Sequence, residues 1–322
     1  MWIVTGGAGF IGSVLIWKMN QQGIENILVV DRMDASEKWK NLRKRRFSDV
    51  LDADAFLDVI TRNKLSGVEG IVHLGATTST TETDTALLMR NNYAYTQTLA
   101  RWAVSKKKRF IYASSAATYG DGAHGYGADP HTTLKLLPLN MYGYSKHLFD
   151  LWALRNGLLR QIVGIKFFNI YGPNEYHKGD MRSVVAKAFE QIQSAGKVRL
   201  FKSYRKTIGH GEQERDFLYV KDAAQAVYEF MTQRTFKGLY NLGAGKARSW
   251  NDLAKAIFAA LGKPVRTEYI EMPGTLRQKY QYHTQADMGW RRSAKGAVPF
   301  CSLEDGVRDY VLNHLNQADP YL

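Results

Sequence analysis

The sequence predicts an α/β fold, a doubly wound parallel sheet accompanied by a smaller, mixed substrate-binding domain. Apolar runs of strand length alternate with helical segments through the first half of the chain, and this order is typical of a parallel sheet with helices on both faces. A glycine-rich stretch stands between the first of these runs and the first helix. After Phe168 the alternation weakens, because glycines, prolines and charged residues interrupt the short elements.

The predicted elements follow one another with short connections. The predicted strands are the apolar runs at residues 2–5, 27–31, 70–74, 109–113 and 161–168. The predicted helices are the segments at residues 10–22, 53–62, 86–105 and 142–156. In the second half a helical segment at residues 221–232 precedes Tyr240-Asn241-Leu242-Gly243, and we expect some elements there to return to the main sheet.

Composition indicates an ordinary globular protein. The 322 residues, 45% hydrophobic and 23% charged, suffice for one large domain or two modest ones. The sequence shows neither a basic leader nor a run approaching 18 apolar residues, so we expect no signal peptide and no membrane insertion. Cys301 is the only cysteine, which excludes an intrachain disulfide and a cysteine metal cluster, and we expect no metal. These features predict a cytoplasmic protein.

The net charge of +14 is concentrated in basic clusters at residues 38–46 and 106–109. One interpretation is a nucleic-acid surface. The other is a solvated basic face on a protein that handles anionic ligands. No nucleic-acid-binding motif accompanies the charge, so we favour the second interpretation and expect no nucleic-acid partner.

The glycine-rich stretch has the pattern of a dinucleotide-binding loop. Gly6, Gly9 and Gly12 fit G-x-x-G-x-x-G, and Phe10 and Ile11 lie between the last two glycines. Small residues permit a tight turn, the approach of a pyrophosphate to backbone N–H groups, and close packing of helix on strand. The positive end of the following helix then faces the phosphates. We therefore predict a Rossmann-type NAD(P) site here.

The residues at the end of the second predicted strand leave the choice between NAD and NADP open. Asp31 lies 19 residues past Gly12 and is placed to hydrogen-bond an adenosine ribose hydroxyl, which favours NAD. Arg32 and Lys38 follow and are suited to a 2′-phosphate, which favours NADP. We assign residues 1–168 to the NAD(P)-binding domain, with residues 216–240 returning to it. Residues 169–215 and 241–322 then form mainly the substrate-binding region.

A Tyr-x-x-x-Lys pair begins the predicted helix at residues 142–156. Tyr142 and Lys146 are four residues apart and share a helix face, so the ammonium is expected to lower the pKa of the phenol and to make it a usable acid or base. Ser115 ends the fourth predicted strand, at the edge where ligands bind in doubly wound sheets. Its hydroxyl is placed to hydrogen-bond a reacting hydroxyl or carbonyl.

These residues resemble the extended short-chain dehydrogenase/reductase superfamily, in which Ser115 corresponds to the hydrogen-bond donor, Tyr142 to the acid/base and Lys146 to the ribose-binding residue that tunes it. Further stretches carry a more specific resemblance: Asn91-Asn92-Tyr93, residues 113–120, residues 140–146, Phe168-Asn169-Ile170-Tyr171-Gly172-Pro173, His177-Lys178-Gly179, Arg215-Asp216-Phe217-Leu218-Tyr219-Val220 and Thr284-Gln285-Ala286-Asp287. Through them the chain resembles the ADP-L-glycero-D-manno-heptose 6-epimerase family over nearly its whole length.

This resemblance implies an isomerase of carbohydrate metabolism, in the NAD-dependent epimerase/dehydratase family. It would invert C6 of the heptose in ADP-D-glycero-D-manno-heptose by transient oxidation and re-reduction with bound NADP, or NAD, in the synthesis of lipopolysaccharide inner-core heptose precursors. It also implies a homo-oligomer, a pentamer on resemblance alone, whose partner is the nucleotide sugar.

The resemblance further implies the ligand contacts. The cofactor contacts beyond those above are Gly75, Ala76, Ser79, Asn92, Ile170 and Lys178. The substrate contacts are Ser115, Asn169, Asp180 and Lys187, together with Phe201, Lys202, Ser203, Tyr204, Arg215 and Tyr280 around the ADP portion. Arg215 suits a diphosphate geometrically, and a salt bridge with Glu214 or Asp216 is the alternative.

Lys178 carries the prediction of epimerisation. Inverting a carbinol carbon through a ketone requires hydride removal from one face and return to the other, so the sugar needs a proton acceptor in each orientation. Tyr142 serves one orientation, and Lys178 serves the other if burial lowers its pKa. The alternative makes Lys178 a phosphate ligand or a solvated residue. Other candidate functions are another nucleotide-sugar epimerase or dehydratase, such as a UDP-sugar 4-epimerase, and a catalytically silent NAD(P)-binding regulator.

Overall fold

The computed structural model describes residues 1–277, 280–293 and 298–322. Its strands, in chain order, are β1 (Trp2–Thr5), β2 (Ile27–Asp31), β3 (Asp49–Asp52), β4 (Gly70–His73), β5 (Arg109–Ser115), β6 (Val163–Phe167), β7 (Asn169–Tyr171), β8 (Val198–Phe201), β9 (Glu214–Tyr219), β10 (Gly238–Leu242), β11 (Ala247–Ser249) and β12 (Thr267–Ile270).

The helices lie mainly between these strands. They are α1 (Phe10–Gln21), α2 (Ala53–Thr61), α3 (Thr85–Leu88), α4 (Tyr95–Ser105), α5 (Pro130–Thr133), α6 (Met141–Arg155), α7 (Val184–Ala195), α8 (Val220–Thr232), α9 (Trp250–Ala260), α10 (Gly274–Arg277), α11 (Gly289–Ser293) and α12 (Leu303–Tyr310). Short 3₁₀ helices are Glu37–Leu42, Ala116–Tyr119, Leu158–Arg160 and Tyr176–Met181, and π-helical turns are Met89–Ala94 and Val311–Leu315.

The predicted fold class is confirmed. A seven-stranded sheet has the order β10-β6-β5-β4-β1-β2-β3, and each of its strand pairs is parallel. The chain starts at the centre of this sheet and winds outwards in both directions, which defines a doubly wound fold. A three-stranded sheet, β11-β9-β7, and a two-stranded sheet, β12-β8, form the smaller mixed part.

Both faces of the large sheet are covered, as parallel sheets require. Alternate residues of β1 show this directly: Val4 packs into the cluster formed with α1 and α8, whereas Ile3 packs into the cluster formed with α2, α4 and α6. A separate cluster joins α7, α9 and α12 to β8 and β9. Within the described ranges, no helix has the length and apolar character that crossing a bilayer requires.

The polar network at the centre of the sheet is anchored by one buried ion pair. Lys166 on β6 and Asp150 on α6 are both fully buried, with their nitrogen and oxygen 3.0 Å apart. The Asp150 carboxylate also accepts hydrogen bonds from Tyr112 (2.9 Å) and Ser114 (2.7 Å). Lys166 donates a further bond to Thr118 at 2.8 Å. Because a buried charge is tolerated only with such partners, this network fixes α6 against β5 and β6.

We predict that Asp150→Asn lowers the free energy of unfolding by about 3 kcal/mol, because Lys166 then keeps a buried charge without a carboxylate. Asparagine keeps one acceptor oxygen, whereas Tyr112 and Ser114 donate to different oxygens of Asp150, so the change removes the ion pair and one of these two hydrogen bonds. The matched variant Asp150→Asn/Lys166→Met should recover about half of the loss. Urea unfolding measures all three proteins, and a double variant no more stable than the single one would contradict this interpretation.

Candidate active site

The glycine-rich loop lies where the ends of β1 and β4 meet. Thr5 pairs with His73 in the parallel register, so Gly6 and Gly75 leave the sheet side by side. Gly6 has a φ of +67°, and a Cβ on it would lie 2.6 Å from the nitrogen of Gly75. A Cβ on Gly12 would lie 2.1 Å from the carbonyl oxygen of Gly6. The close backbone approach that a pyrophosphate needs is therefore present and tolerates no side chain.

Helix α1 presents its N-terminus to a trough of about 330 Å³ beside this loop. No side chain caps the helix at Gly9, and the residues of its first turn line the trough. Uncapped first-turn N–H groups and the helix dipole together favour an anionic ligand. The residues present thus fit the diphosphate of a dinucleotide, with Gly9, Phe10, Ile11 and Gly12 as its predicted neighbours.

The trough continues into a second cavity of about 330 Å³ that reaches the end of β2. Asp31 accepts hydrogen bonds from the backbone N–H of Ala8 (2.9 Å) and from that of Arg32 (2.8 Å). Lys38 lies 3.2 Å from Asp31 and 3.1 Å from Asp34. The Arg32 guanidinium forms an ion pair with Asp54 at 2.6 Å. Asp31 is therefore occupied and partly neutralised, and Lys38 lines both cavities.

The other predicted cofactor residues differ in how directly they face this space. Gly75 and Ala76 line both cavities. The Asn92 side chain instead accepts a hydrogen bond from the backbone N–H of Thr77 and donates to the carbonyl of Thr77 and to the hydroxyl of Ser145. Asn92 is thus placed to shape the wall, whereas the Ser79 hydroxyl bonds Thr81 and Ile170 lies in β7.

Ser115, Tyr142 and Asn169 converge on an adjoining cavity of about 700 Å³. Ser115 ends β5, Asn169 begins β7, and Tyr142 stands in the first turn of α6. Asn140 fixes that turn, because its side chain accepts a hydrogen bond from the N–H of Gly143 at 2.8 Å. The cavity and the trough share Tyr142, so a group bound in one space meets a group bound in the other at this phenol.

The ionisation of this group differs from the sequence-based expectation. Burial raises the pKa of Tyr142 above its ordinary value, and a hydrogen bond with Ser115 opposes the increase. The expected lowering of this pKa by Lys146 is not found, since the pKa of Tyr142 is raised and its causes do not include Lys146. The Lys146 ammonium donates to the carbonyl of Ala113 at 2.9 Å. Burial lowers the pKa of Lys146 to about 8, and the charge of Asp150 opposes that decrease.

Lys178 lines the trough together with residues of α6. It belongs to the 3₁₀ helix Tyr176–Met181 and lines the same trough as Tyr142 and Lys146. Its ammonium lies 5.2 Å from the centroid of the Phe10 ring, which begins α1. Burial lowers the pKa of Lys178, and the charge of Glu175 opposes the decrease. A lysine in this state is suited to accept a proton.

Several residues predicted to contact the substrate lie outside the lining of the large cavity. Lys187 donates to the carbonyl of Asp180, and both side chains lie towards the surface. Lys202 forms an ion pair with Glu271 at 2.8 Å. Tyr204 hydrogen-bonds the same carboxylate and stacks under Arg277, whereas Phe201 ends β8 and Ser203 bonds the carbonyl of Arg205.

The Arg215 guanidinium lies near two aromatic rings, those of Tyr280 and Trp250. Arg215 is only 8% exposed, and its guanidinium lies 5.1 Å from the Tyr280 ring centroid and 5.7 Å from that of Trp250. Trp250 donates to the Tyr280 hydroxyl at 3.0 Å. Of the carboxylates in the described ranges, none forms an ion pair with Arg215, since Glu214 pairs with His283 and Asp216 accepts backbone N–H groups. No carboxylate of the described residues therefore pairs with the guanidinium, whose geometry suits an anionic ligand.

The large cavity has a wall that sequence patterns did not indicate. Thr80, Thr81, Glu82 and Thr83 line it opposite the strand ends, and Gln281 and Thr284 line it from the C-terminal part. The clustering of hydroxyl residues in the stretch Thr77–Thr83 was visible in the sequence, but that composition is equally typical of an exposed loop. Hydroxyl and carboxylate groups are suited to a polyhydroxylated ligand.

Known proteins share sequence and structure with this chain. The model of the NAD dependent epimerase/dehydratase family matches residues 2–243. The ADP-L-glycero-D-manno-heptose-6-epimerase of Nitratidesulfovibrio vulgaris strain Hildenborough is 52% identical over 323 residues, which cover 100% of both chains. The crystal structure of the Helicobacter pylori ADP-L-glycero-D-manno-heptose-6-epimerase matches with a TM-score of 0.80 and 30% identity, over 97% of this chain and 95% of that one. MoeE5, solved with UDP-glucose and NAD, matches with a TM-score of 0.75 and 25% identity, over 96% and 97%.

We predict that Gly12→Ala weakens dinucleotide binding about 10- to 100-fold, because the new methyl group overlaps the Gly6 carbonyl and displaces the loop at a cost of about 1–3 kcal/mol. Gly274→Ala is the matched control, since a Cβ there meets nothing within 4 Å. Titration of each folded variant with the dinucleotide, followed by fluorescence, measures the effect. Equal affinities for Gly12→Ala and the wild type would contradict the assignment of this loop.

Proposed function

We propose that this chain interconverts the D-glycero and L-glycero forms of ADP-manno-heptose at C6. The premise is that it belongs to the NAD dependent epimerase/dehydratase family and, within that family, to the ADP-L-glycero-D-manno-heptose-6-epimerases. The full-length similarity at 52% identity is the observation that carries this proposal. The site supports it, because Tyr142 lines both the dinucleotide trough, which Lys178 also lines, and the large cavity, which Ser115 and several other polar residues line.

The reaction needs a hydride to leave C6 and to return on the opposite face. A bound nicotinamide dinucleotide supplies the hydride acceptor and, once reduced, the hydride donor. Ser115 holds the C6 oxygen by a hydrogen bond, and Tyr142 removes or returns the hydroxyl proton. Between the two hydride transfers the ketone must rotate, so that its opposite face meets the dinucleotide. In this second orientation its C6 oxygen points away from Tyr142 and towards Lys178.

Lys178 provides the second proton-transfer group in this scheme. Burial lowers its pKa, which favours the neutral, proton-accepting amine. In one direction Lys178 accepts the hydroxyl proton during oxidation and Tyr142 donates a proton during reduction, and the reverse direction exchanges these roles. No net oxidation occurs, since the hydride removed from C6 is the hydride returned to it.

The geometry around Asp31 supports NADP as the cofactor. An unoccupied carboxylate at this position would bind the ribose hydroxyls and would repel a 2′-phosphate. Here two backbone N–H groups occupy the Asp31 carboxylate, and Lys38 neutralises part of its charge. Lys38 and Arg32 both line the second cavity, at the end of β2, and their cationic groups are suited to a phosphate.

Extraction of nucleotide from the denatured protein should therefore yield NADP. We further expect Lys38→Met to weaken NADP binding about tenfold or more, while NAD binding changes little, because a charge-assisted hydrogen bond to the phosphate contributes about 1.5–3 kcal/mol. Chromatography of the extract and titrations with both nucleotides provide the measurements. Recovery of NAD alone would show that Asp31 determines the cofactor.

Incubation with ADP-D-glycero-D-manno-heptose, followed by NMR of the sugar, tests the proposed function. Inversion at C6 is the expected result. If the heptose is unchanged and the protein instead inverts C4 of a UDP-sugar, the proposed activity is wrong and the protein has another activity of its family.

Paired variants test the two proton-transfer groups. Tyr142→Phe and Lys178→Met should each reduce epimerisation by about 10²- to 10⁴-fold, the usual range for one acid or base. On an analogue with an aldehyde at the reacting carbon, oxidation and reduction need only one orientation, so Lys178→Met should retain dismutation and Tyr142→Phe should lose it. Epimerisation at near wild-type rate in Lys178→Met would reduce Lys178 to a binding residue.

A further inference from the structure

A buried carboxylate, that of Glu175, stabilises the turn that carries Lys178. The N–H of Lys178 donates to the backbone carbonyl of Glu175 at 3.0 Å. The Glu175 side chain is fully buried and accepts hydrogen bonds from the N–H and the hydroxyl of Ser183 and from the hydroxyl of Tyr310. These contacts connect the turn to the start of α7 and to the end of α12.

Asn41 connects the turn to the glycine-rich loop. It lies on the 3₁₀ helix Glu37–Leu42, is 1% exposed, and donates to the carbonyl of Ala8 at 2.9 Å and to that of Asn174 at 3.1 Å. The same nitrogen is 3.3 Å from Nδ1 of His177, next to Lys178. One buried amide therefore joins the loop, the turn and the 3₁₀ helix that carries Lys38.

Asn174 makes the second connection. Its side-chain nitrogen donates to the hydroxyl of Ser13 at 3.0 Å, and Ser13 is the fourth residue of α1. Its side-chain oxygen accepts from the N–H of Leu322 at 3.0 Å. The backbone of Asn174 has a φ of +73°, a left-handed conformation that costs free energy for a residue with a side chain. The hydrogen bonds of this side chain offset that cost, so the turn and the helix are fixed together.

We propose that Asn41 and Asn174 are positioning residues that couple the dinucleotide-binding loop to the turn carrying Lys178, so that the bound dinucleotide orders this turn. The inference rests on the proposed function for the role of Lys178. It adds that the bound cofactor strengthens the contacts that hold the second proton-transfer group in place.

The coupling follows from shared contacts. Phosphates bound at the N-terminus of α1 restrict Ala8 and the first turns of this helix, which are the groups that Asn41 and Asn174 contact. A ligand that orders one side of a hydrogen-bonded link lowers the free energy of the ordered state on the other side. By reciprocity, an ordered turn strengthens dinucleotide binding.

Hydrogen–deuterium exchange of the nucleotide-free protein, with and without NADP, tests this link. The probes are the amides of Lys178, Arg182 and Ser183, each hydrogen-bonded within the turn. In the wild type, saturating NADP should slow their exchange about tenfold or more. Asn41→Leu removes the amide at similar volume and should reduce that effect to less than about threefold, because one hydrogen bond corresponds to about a tenfold change.

The matched control is Asn20→Leu. Asn20 is another buried amide, which bonds the carbonyls of Ile24 and Arg46 at the opposite end of the same basic segment. Its loss should leave the NADP-dependent protection of the turn as in the wild type. Asn174→Gly is the second variant, since glycine accepts the left-handed backbone and removes only the side-chain bonds. It should reproduce the effect of Asn41→Leu.

Full protection by NADP in Asn41→Leu and Asn174→Gly would overturn the proposal, as would an equal loss in Asn20→Leu, which would indicate general destabilisation. Because the experiment uses no sugar substrate, its failure is distinct from a failure of the proposed function. A protein that protects the turn normally but does not epimerise the heptose would refute the function alone.

Discussion

The parallel register of β1, β4 and β5 is the constraint on which the site depends. Thr5, His73 and Tyr112 lie in one row across these strands, so the chain leaves all three at the same edge. Gly6 and Gly75 can then approach within contact distance, and Ser115 emerges beside them. The trough, the cavity and the N-terminus of α1 all occupy this edge, which is the ligand crevice of a doubly wound sheet.

Two lysines that line the trough, Lys146 and Lys178, have the same electrostatic surroundings. Lys146 and Lys178 are both withdrawn from water, which lowers each pKa, and a buried carboxylate opposes each decrease: Asp150 for Lys146 and Glu175 for Lys178. The carboxylates are themselves held by hydroxyl groups. At each lysine, burial favours the neutral amine and the carboxylate favours the ammonium, an opposition that suits a proton-transfer group.

The sequence predicted the sheet and much of the site because those signals are local. Strand runs such as residues 27–31, the glycine spacing and the Tyr142–Lys146 pair can be read within a few residues. β3 was missed because Asp49–Asp52 is half aspartate and lies at the sheet edge, and the predicted helix at residues 86–105 is interrupted by a π-helical turn at Asn91 and Asn92. Contacts between distant segments, such as Asn41 with Asn174, leave no local pattern.

The central claim is that C6 is inverted by a hydride that leaves and returns through the bound dinucleotide, with Tyr142 and Lys178 on the two sides of the sugar. The most direct measurement follows deuterium at C6 of ADP-D-glycero-D-manno-heptose through epimerisation in ordinary water. Full retention of deuterium in the L-glycero product, with no net change in cofactor, is the predicted result. Loss of the label to water would mean that the carbon is deprotonated, and would contradict the mechanism.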